Sequence, residues 1–188
     1  MLEENMSSTS EAALAAHEIV TAMVHAWNAH DAHAFAAIFA RDADFTNVFG
    51  MGAEGREEVE RFHRPIFETM FKDSCLAAIR MRTRPVRSDV AAVDVHWEMS
   101  GACDPAGNQW PNRHGLMSLL ITREQGCWAI AVMHNMELPP DGMSDGQARL
   151  QERHVRSGAE EVDEIYPLAP APSLTPFCSA MTSESIGM

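Results

Sequence analysis

The chain has 188 residues, 46% of them hydrophobic, which is enough for one globular domain with an appendage. Its 27 acidic and 14 basic residues give a formal charge of −13. This charge argues against nucleic acid and anionic membranes as partners, because both bind basic surfaces. The acidic N-terminus lacks the pattern of a signal peptide, and no apolar run approaches the length of a membrane span. We therefore expect a cytoplasmic protein.

The chain begins with two predicted helices. Residues Ser8-Thr9-Ser10-Glu11 have the form of a capping box, and apolar residues then recur at helical spacing as far as about Asn28. Asp31 is a suitable N-cap for a short second helix that carries Phe39 on its apolar face.

A short strand is predicted next, in which Phe45, Asn47 and Phe49 share one face and which Gly50 ends. Asparagine is depleted in strands because its amide competes with the backbone for hydrogen bonds. Either this segment is a loop, or Asn47 faces something polar.

A third helix opens at Gly55-Arg56, and its apolar stripe contains His63 at a position where leucine would satisfy packing. The histidine is either a buried residue bonded to a backbone carbonyl or a functional group in a polar-lined cavity. Pro65 lies inside the helical pattern and predicts a kink or a break near Arg61 to Arg64.

The remainder of the domain has the pattern of strands. The predicted strands are Leu76 to Thr83, Val90 to Met99, Gly115 to Arg123 and Trp128 to Glu137. Helices followed by a run of antiparallel strands indicate an α+β fold. Beyond residue 138 the composition becomes charged and then rich in proline, so we divide the chain into a domain of residues 1–138 and an extension of residues 139–188, partly disordered.

The last strand offers a second candidate for a cavity wall. Trp128, Ile130 and Val132 share one predicted face, which leaves Asn135 on the other face with Ala129, Ala131 and Met133. Small residues that lead to an amide fit a cavity wall, although a helix packed on that face would also favour alanine.

Neither a metal site nor a cofactor site is predicted. The four cysteines form no CxxC pair, and His63, His96, His114 and His134 come from four different elements. The sequence contains no dinucleotide fingerprint and no phosphate-binding loop.

Three segments carry a resemblance to a known family. They are WNAHD (27–31), FARDADFTNVFG (39–50) and EGREEVERFHRPIF (54–67). In their order and spacing, the chain from about Ser10 to Leu138 resembles the nuclear-transport-factor-2-like (cystatin-like cone) superfamily, in its SnoaL-like group, and is similar to the SgcJ/EcaC subset. The resemblance implies a curved antiparallel sheet that forms a cone closed by three N-terminal helices. In that cone Phe45, Asn47 and Phe49 would face the cavity.

The residue patterns above and the resemblance together indicate which residues form the site. His63 would be the catalytic acid or base, and the ligand-binding residues would be Met23, Trp27, Phe45, Asn47, Phe49, Ser118, Met133 and Asn135. Ketosteroid isomerases of this fold use an aspartate, a tyrosine and a protonated acid, which align with Asn47, Met23 and approximately Ser118. Because asparagine cannot shuttle a proton and methionine cannot donate to an oxyanion, we predict no steroid isomerase activity.

Two functions remain open for the domain. One is an enzyme that carries out cyclase-, isomerase- or dehydratase-type acid–base chemistry on a hydrophobic, polyketide-like substrate. The other is a non-catalytic module for ligand binding or dimerisation, which the absence of a carboxylate from the predicted pocket wall favours. In both cases we expect a homodimer formed through the exposed face of the sheet, with Trp97, Trp110 and Trp128 as candidates for the buried surface.

Overall fold

The structure is a computed structural model that describes residues 2–139, with side chains from residue 11 onward. It contains helices α1 (Leu2–Asn28), α2 (Ala32–Ala37) and α3 (Arg56–Glu68). The predicted end of α1 and the predicted N-cap of α2 are confirmed, since the Asp31 side chain accepts a hydrogen bond from the backbone N–H of Ala34 at 2.9 Å. Residues 8–11 lie inside α1, so they do not cap its start.

Six strands form one mixed sheet. They are β1 (Phe39–Thr46), β2 (Gly52–Glu54), β3 (Cys75–Arg87), β4 (Val90–Ser100), β5 (Arg113–Glu124) and β6 (Cys127–Glu137). The strand order is β2-β1-β6-β5-β4-β3, and all neighbours are antiparallel except β1 and β6, which are parallel. The predicted α+β class is confirmed, whereas the prediction of a wholly antiparallel sheet is wrong. Strands β1 and β6 are far apart in the chain, so no hairpin turn forces them to run in opposite directions.

The helices cover one face of the sheet. Along β4, Val93, Val95 and Trp97 are buried, whereas the alternating residues Asp94 and His96 are only partly buried. Helix α1 packs against β3, β4 and β6 on the buried side. The hydrophobic core therefore lies between the sheet and the three helices.

A β-bulge in β6 reverses its alternation of faces. Leu120 pairs with Val132 and Ile121 pairs with Ile130, which leaves Ala131 as an extra residue. Because of this extra residue, Trp128 and Ile130 share the buried face with Met133, and Asn135 follows on the same face. The predicted grouping of Asn135 with Ala129 and Ala131 is therefore wrong, although its grouping with Met133 is correct.

Two local predictions near the start of the sheet and one in α3 need correction. Phe39 is the first residue of β1 and not part of α2, and β1 ends at Thr46, so Asn47 lies in the turn that follows. Helix α3 continues through Pro65 without a break. The buried side chains of Val59, His63 and Phe67 hold α3 against the core, which offsets the hydrogen bond that proline cannot donate.

The proposed extension of residues 139–188 lies outside the described residues apart from its first residue. Within the described part of the chain, no helix is both long enough and apolar enough to cross a membrane.

Candidate functional site

A cavity of about 120 Å³ lies between the helices and the buried face of the sheet. It is lined by Met23, Trp27, Phe35, Phe45, Asn47, Val48, Phe49, Met51, Phe62, His63, Ile66, Met70, Phe71, Leu76, Trp97, Met99, Arg113, Met117, Met133 and Asn135. Most of these side chains are apolar or aromatic, and none of the described lining residues is a carboxylate. A mostly apolar cavity with a few polar groups is typical of a small-molecule site.

His63 is the buried titratable group of this cavity, with 1% of its surface exposed. Its Nδ1 lies 2.7 Å from the carbonyl oxygen of Val59, one turn earlier in α3. A carbonyl only accepts, so Nδ1 carries the proton and the lone pair is on Nε2, which has no hydrogen-bond partner among the described residues. Burial lowers the pKa of His63 to about 4, against the opposing effect of the Val59 hydrogen bond. The ring is therefore neutral at physiological pH.

Aromatic rings surround this imidazole. Measured between ring centroids, the neighbours of His63 are Phe35 at 4.4 Å, Phe45 at 5.0 Å, Phe62 at 5.3 Å, Phe67 at 5.7 Å and Trp27 at 6.2 Å. We call His63 and these five rings the His63 cluster. Their apolar surfaces keep water away from the imidazole, which is the physical reason for its lowered pKa.

Asn47 closes the turn between β1 and β2. Its Oδ1 accepts hydrogen bonds from the backbone N–H groups of Phe49 and Met51, each at 2.9 Å. Both of these groups are donors, so the oxygen position is settled, and the hydrogen-bonding capacity left to the side chain is the Nδ2 amide. The structure thus answers the question that Asn47 raises, because this residue is a turn residue that also lines the cavity.

The side chain of Asn135 in β6 is held by the indole of Trp97 in β4. The Nε1–H of Trp97 donates to Asn135 Oδ1 at 2.8 Å, which leaves the Nδ2 hydrogens and one lone pair of Oδ1 for a ligand. Gly115 lies opposite Trp97 in the register of β4 and β5, and any Cβ at this position would collide with the indole ring. The glycine therefore gives Trp97 the room to reach Asn135 across β5.

The charged group of the lining is Arg113. Its Nε and Nη2 donate to Oε1 and Oε2 of Glu137 at 2.9 and 2.8 Å, and its guanidinium lies over the ring of Trp110 at 4.6 Å and near Phe49 at 5.8 Å. The hydrogen bonds from Arg113 lower the pKa of Glu137, so the carboxylate stays ionised. We call Arg113, Glu137, Trp110 and Phe49 the mouth.

The mouth connects the cavity to a shallower depression on the surface. Phe49 and Arg113 line both spaces, and the depression also includes Trp110 and Glu137. Phe49 is 58% exposed, whereas Arg113 is only 9% exposed. A ligand that enters here would pass between an exposed ring and a nearly buried guanidinium.

The structure brings His63 together with all but one of the expected ligand-binding residues. Those that line the cavity are Met23, Trp27, Phe45, Asn47, Phe49, Met133 and Asn135. Ser118 does not, because it alternates with Met117 and Leu119, whose side chains are buried on the helix side. Its hydroxyl instead donates to Asp94 Oδ1 at 2.7 Å on the opposite face.

Of the lining residues absent from the expected site, Trp97 and Arg113 carry polar groups. Trp97, which we expected on the exposed face, is 2% exposed and lines the cavity, and Trp128 is also buried on the helix side. The sequence contains the signal for Trp97, since it shares an apolar strand face with Val93 and Val95 at a spacing of two residues. Arg113 gives no such signal, because its burial depends on a carboxylate 24 residues away.

No group of three His, Cys, Asp or Glu side chains in the part of the chain that the structure describes is placed to hold a metal ion.

Comparisons with known proteins place the chain among proteins of the same fold. A family model described as the SnoaL-like domain matches residues 20–129, which is more than half of the chain. An uncharacterised protein with a cystatin-like fold from Caulobacter vibrioides is 27% identical, with a TM-score of 0.67, over 78% of this chain and 99% of that one. A domain of unknown function from Nostoc punctiforme, also with a cystatin-like fold, is 25% identical, with a TM-score of 0.62, over 79% and 97% of the two chains.

A type 2 hexachlorocyclohexane dehydrochlorinase is similar in fold alone. It is 13% identical, with a TM-score of 0.59, over 77% of this chain and 97% of that one. No curated protein matches the sequence.

Proposed function

The chain belongs to the SnoaL-like domain family, and on that premise we propose that it binds a small, mostly apolar molecule in the cavity beside His63. One observation carries this proposal: a neutral imidazole with an uncommitted Nε2 lies in a lining that is otherwise largely apolar. Such a nitrogen accepts a hydrogen bond from a ligand and fixes its orientation, while the surrounding rings supply the contact area.

Binding is favoured over catalysis by the partner of Nδ1. A histidine that works as a base must hold a proton in the transition state, and a carboxylate on its other nitrogen stabilises the resulting imidazolium. Here that partner is the uncharged carbonyl of Val59, and burial has lowered the pKa to about 4. His63 is therefore a good hydrogen-bond acceptor and a weak base.

A second candidate is an acid–base enzyme on a hydrophobic, polyketide-like substrate, of the cyclase, isomerase or dehydratase type. The observation that favours it is that Nε2 of His63, the titratable atom of the cavity, is free to meet a substrate. A dehydrochlorinase has the same fold, which supports the candidate only as far as fold does. Asn47 and Met23 both line the cavity, which supports the prediction of no steroid isomerase activity.

Substitution of His63 by glutamine distinguishes the two functions. His63→Gln keeps a hydrogen-bonding group of similar size and removes the titration. For a binding protein, ligand affinity should change by less than about tenfold, whereas for an enzyme the rate should fall by about 10²-fold or more. His25→Gln, an exposed position on α1, is the matched control. If no apolar compound raises the Tm of the unmodified chain in a broad screen, the binding proposal is wrong.

We also propose that a second copy of the chain covers the other face of the sheet. Cross-strand neighbours there include Leu116, Leu120 and Val132, and Met136 beside them is 43% exposed. None of the described helices packs on this face, and apolar side chains beside the Arg82–Asp94 ion pair suit a self-complementary contact. Light scattering of the full chain should show a dimer, and Leu120→Glu should convert it to a monomer. A monomeric unmodified chain at micromolar concentration would contradict this.

Three finer assignments belong to the same proposal. They are a place in the SgcJ/EcaC subset, the closure of the sheet into a cone by the three helices, and a cytoplasmic location. The sequence resemblance described above supports the first two, and the third rests on the sequence alone.

A further inference from the structure

We infer that the cavity selects an uncharged, one-ring compound that donates a hydrogen bond to His63 and accepts one from Arg113. This inference rests on the proposed binding function and specifies the class of ligand. It follows from a count of the hydrogen-bonding atoms that the protein leaves uncommitted in the lining.

The two amides of the lining present mainly donors. Oδ1 of Asn47 already accepts from two backbone N–H groups, and Oδ1 of Asn135 already accepts from Trp97. Asn47 therefore has only its Nδ2 hydrogens left for a ligand, whereas Asn135 has its Nδ2 hydrogens and one lone pair of Oδ1. The indole of Trp27 is also committed, since it donates to Ser74 Oγ at 3.0 Å.

Arg113 adds further donors without adding net charge. Its Nε and Nη2 are bonded to Glu137, so Nη1 is the nitrogen that remains. Because the Glu137 carboxylate balances the guanidinium, an incoming carboxylate would gain little from Arg113 and would be repelled by Glu137. An uncharged acceptor such as a ketone, aldehyde or amide oxygen suits Nη1 better.

His63 supplies the complementary acceptor. Among the described side chains that line the cavity, Nε2 is the nitrogen or oxygen acceptor that receives no hydrogen bond from the protein, whereas Asn135 Oδ1 receives one and keeps only its second lone pair. A ligand hydroxyl or N–H can donate to Nε2, whereas an ether oxygen at the same place would face a lone pair. The preferred ligand therefore has a hydrogen-bond donor that faces the His63 cluster and a hydrogen-bond acceptor that faces the mouth.

The volume allows at most one ring inside the cavity, and a substituent of that ring must extend into the mouth. A protein cavity of about 150 Å³ holds benzene, and this one measures about 120 Å³. The rings of Phe45, Phe62 and Trp27 offer faces and edges on which one aromatic or cyclic group can pack. A polycyclic compound would have to displace core side chains or extend through the mouth.

Four probes of similar size test each part of this inference by titration calorimetry of the full chain at pH 7. They are 4-hydroxyacetophenone, its methyl ether 4-methoxyacetophenone, 4-ethylphenol, which lacks the ketone, and 4-hydroxybenzoate, which carries a charge. The hydroxyketone should bind most tightly. Loss of either hydrogen bond should weaken binding by about 5- to 10-fold, and the benzoate should bind more weakly still.

Variants assign the two preferences to residues. His63→Phe should abolish the preference for the hydroxyketone over its methyl ether and keep the preference for the hydroxyketone over 4-ethylphenol. Arg113→Met should abolish the second preference and keep the first. Arg123→Met is the matched control, because Arg123 is also paired with a glutamate, Glu11, and lies over a tryptophan outside the cavity. If Arg113→Met does not fold, the double variant Arg113→Met with Glu137→Met removes both charges and replaces it.

The outcomes separate this inference from the function on which it rests. Equal binding of all four probes, tighter binding of the benzoate, or preferences that survive in the variants would overturn the inference and leave a small-molecule site. If none of the probes binds at millimolar concentration and the broad screen also fails, both the inference and the proposed function are wrong.

Discussion

The His63 cluster holds a neutral imidazole, and the mouth of the same cavity holds a positively charged guanidinium. His63 is 1% exposed, its partner is a backbone carbonyl, and its pKa is lowered to about 4. Arg113 is 9% exposed, its partner is the carboxylate of Glu137, and it stays charged. Burial is similar at the two places, but a guanidinium keeps its proton in a protein, whereas a buried imidazole bonded to an uncharged carbonyl is neutral.

This difference shows how a largely apolar cavity can fix the orientation of a bound ligand. The His63 cluster offers a lone pair with no positive charge beside it, and the mouth offers N–H groups whose charge is already balanced. A ligand with a donor at one end and an acceptor at the other would enter in one orientation.

The largest expected effect comes from protonation of the His63 cluster by acid. His63 has a pKa near 6.5 in the unfolded chain and about 4 in the folded protein, so the unfolded chain takes up its proton first. The stability contributed by the neutral ring is fully present above pH 6.5 and is lost between pH 6.5 and pH 4. The expected loss in the free energy of unfolding over this window is about 3 kcal/mol.

Urea denaturation of the unmodified chain and of His63→Phe at several pH values measures this loss. The difference between the two proteins should change by about 3 kcal/mol between pH 7 and pH 4, because phenylalanine does not titrate. No carboxylate lies among the described lining residues to stabilise the imidazolium. A difference that stays constant with pH would show that His63 is not kept neutral by burial.

A smaller effect is expected when the charge pair of the mouth is broken. Glu137→Gln leaves a nearly buried guanidinium without its carboxylate, which would cost several kcal/mol in a closed interior. The Glu137 side chain is 40% exposed, so water and the Trp110 ring compensate in part, and we expect a loss of about 1 to 2 kcal/mol.

The matched control for the mouth is Glu11→Gln. It removes the carboxylate that faces Arg123, whose side chain is 31% exposed, and should cost about 0.5 kcal/mol or less. If the two substitutions have the same effect on the free energy of unfolding, then the burial of Arg113 has no energetic consequence.

The two regions also differ in how far the sequence predicts them. His63 is recognisable because a histidine interrupts an apolar stripe of helical period, which is a local pattern. Arg113 looks like an ordinary charge at the start of a strand, because only the pairing of β5 with β6 brings it to Glu137. Local periodicity thus predicts which side chains face inward, and it does not predict which polar side chains meet.

The errors in the sheet have the same origin. Three helices and most strand positions follow from periodicity, but the extra residue at Ala131, which brings Met133 to the face of Trp128 and Ile130, shifts the phase of β6 without a sequence signal. The parallel pairing of β1 with β6 is likewise a tertiary feature. The resemblance to a family predicts the cavity as a whole, whereas its transfer to Ser118 fails because the alignment there is only approximate and a shift of one residue reverses the face.

The smallest expected effect concerns Asn47, which serves the turn through Oδ1 and the cavity through Nδ2. Asn47→Ala removes the acceptor of two backbone N–H groups in an exposed turn and should lower the free energy of unfolding by about 1 kcal/mol. Asn47→Asp keeps an oxygen for both N–H groups, so its stability should stay within about 0.5 kcal/mol of the unmodified chain. The carboxylate, however, presents an acceptor where the amide presented a donor, and binding of the hydroxyketone probe should weaken in this variant. Urea denaturation and calorimetry of the two variants separate the two roles. If Asn47→Asp binds the probe as well as the unmodified chain does, Asn47 acts on the turn alone, and its amide has no part in selecting the ligand.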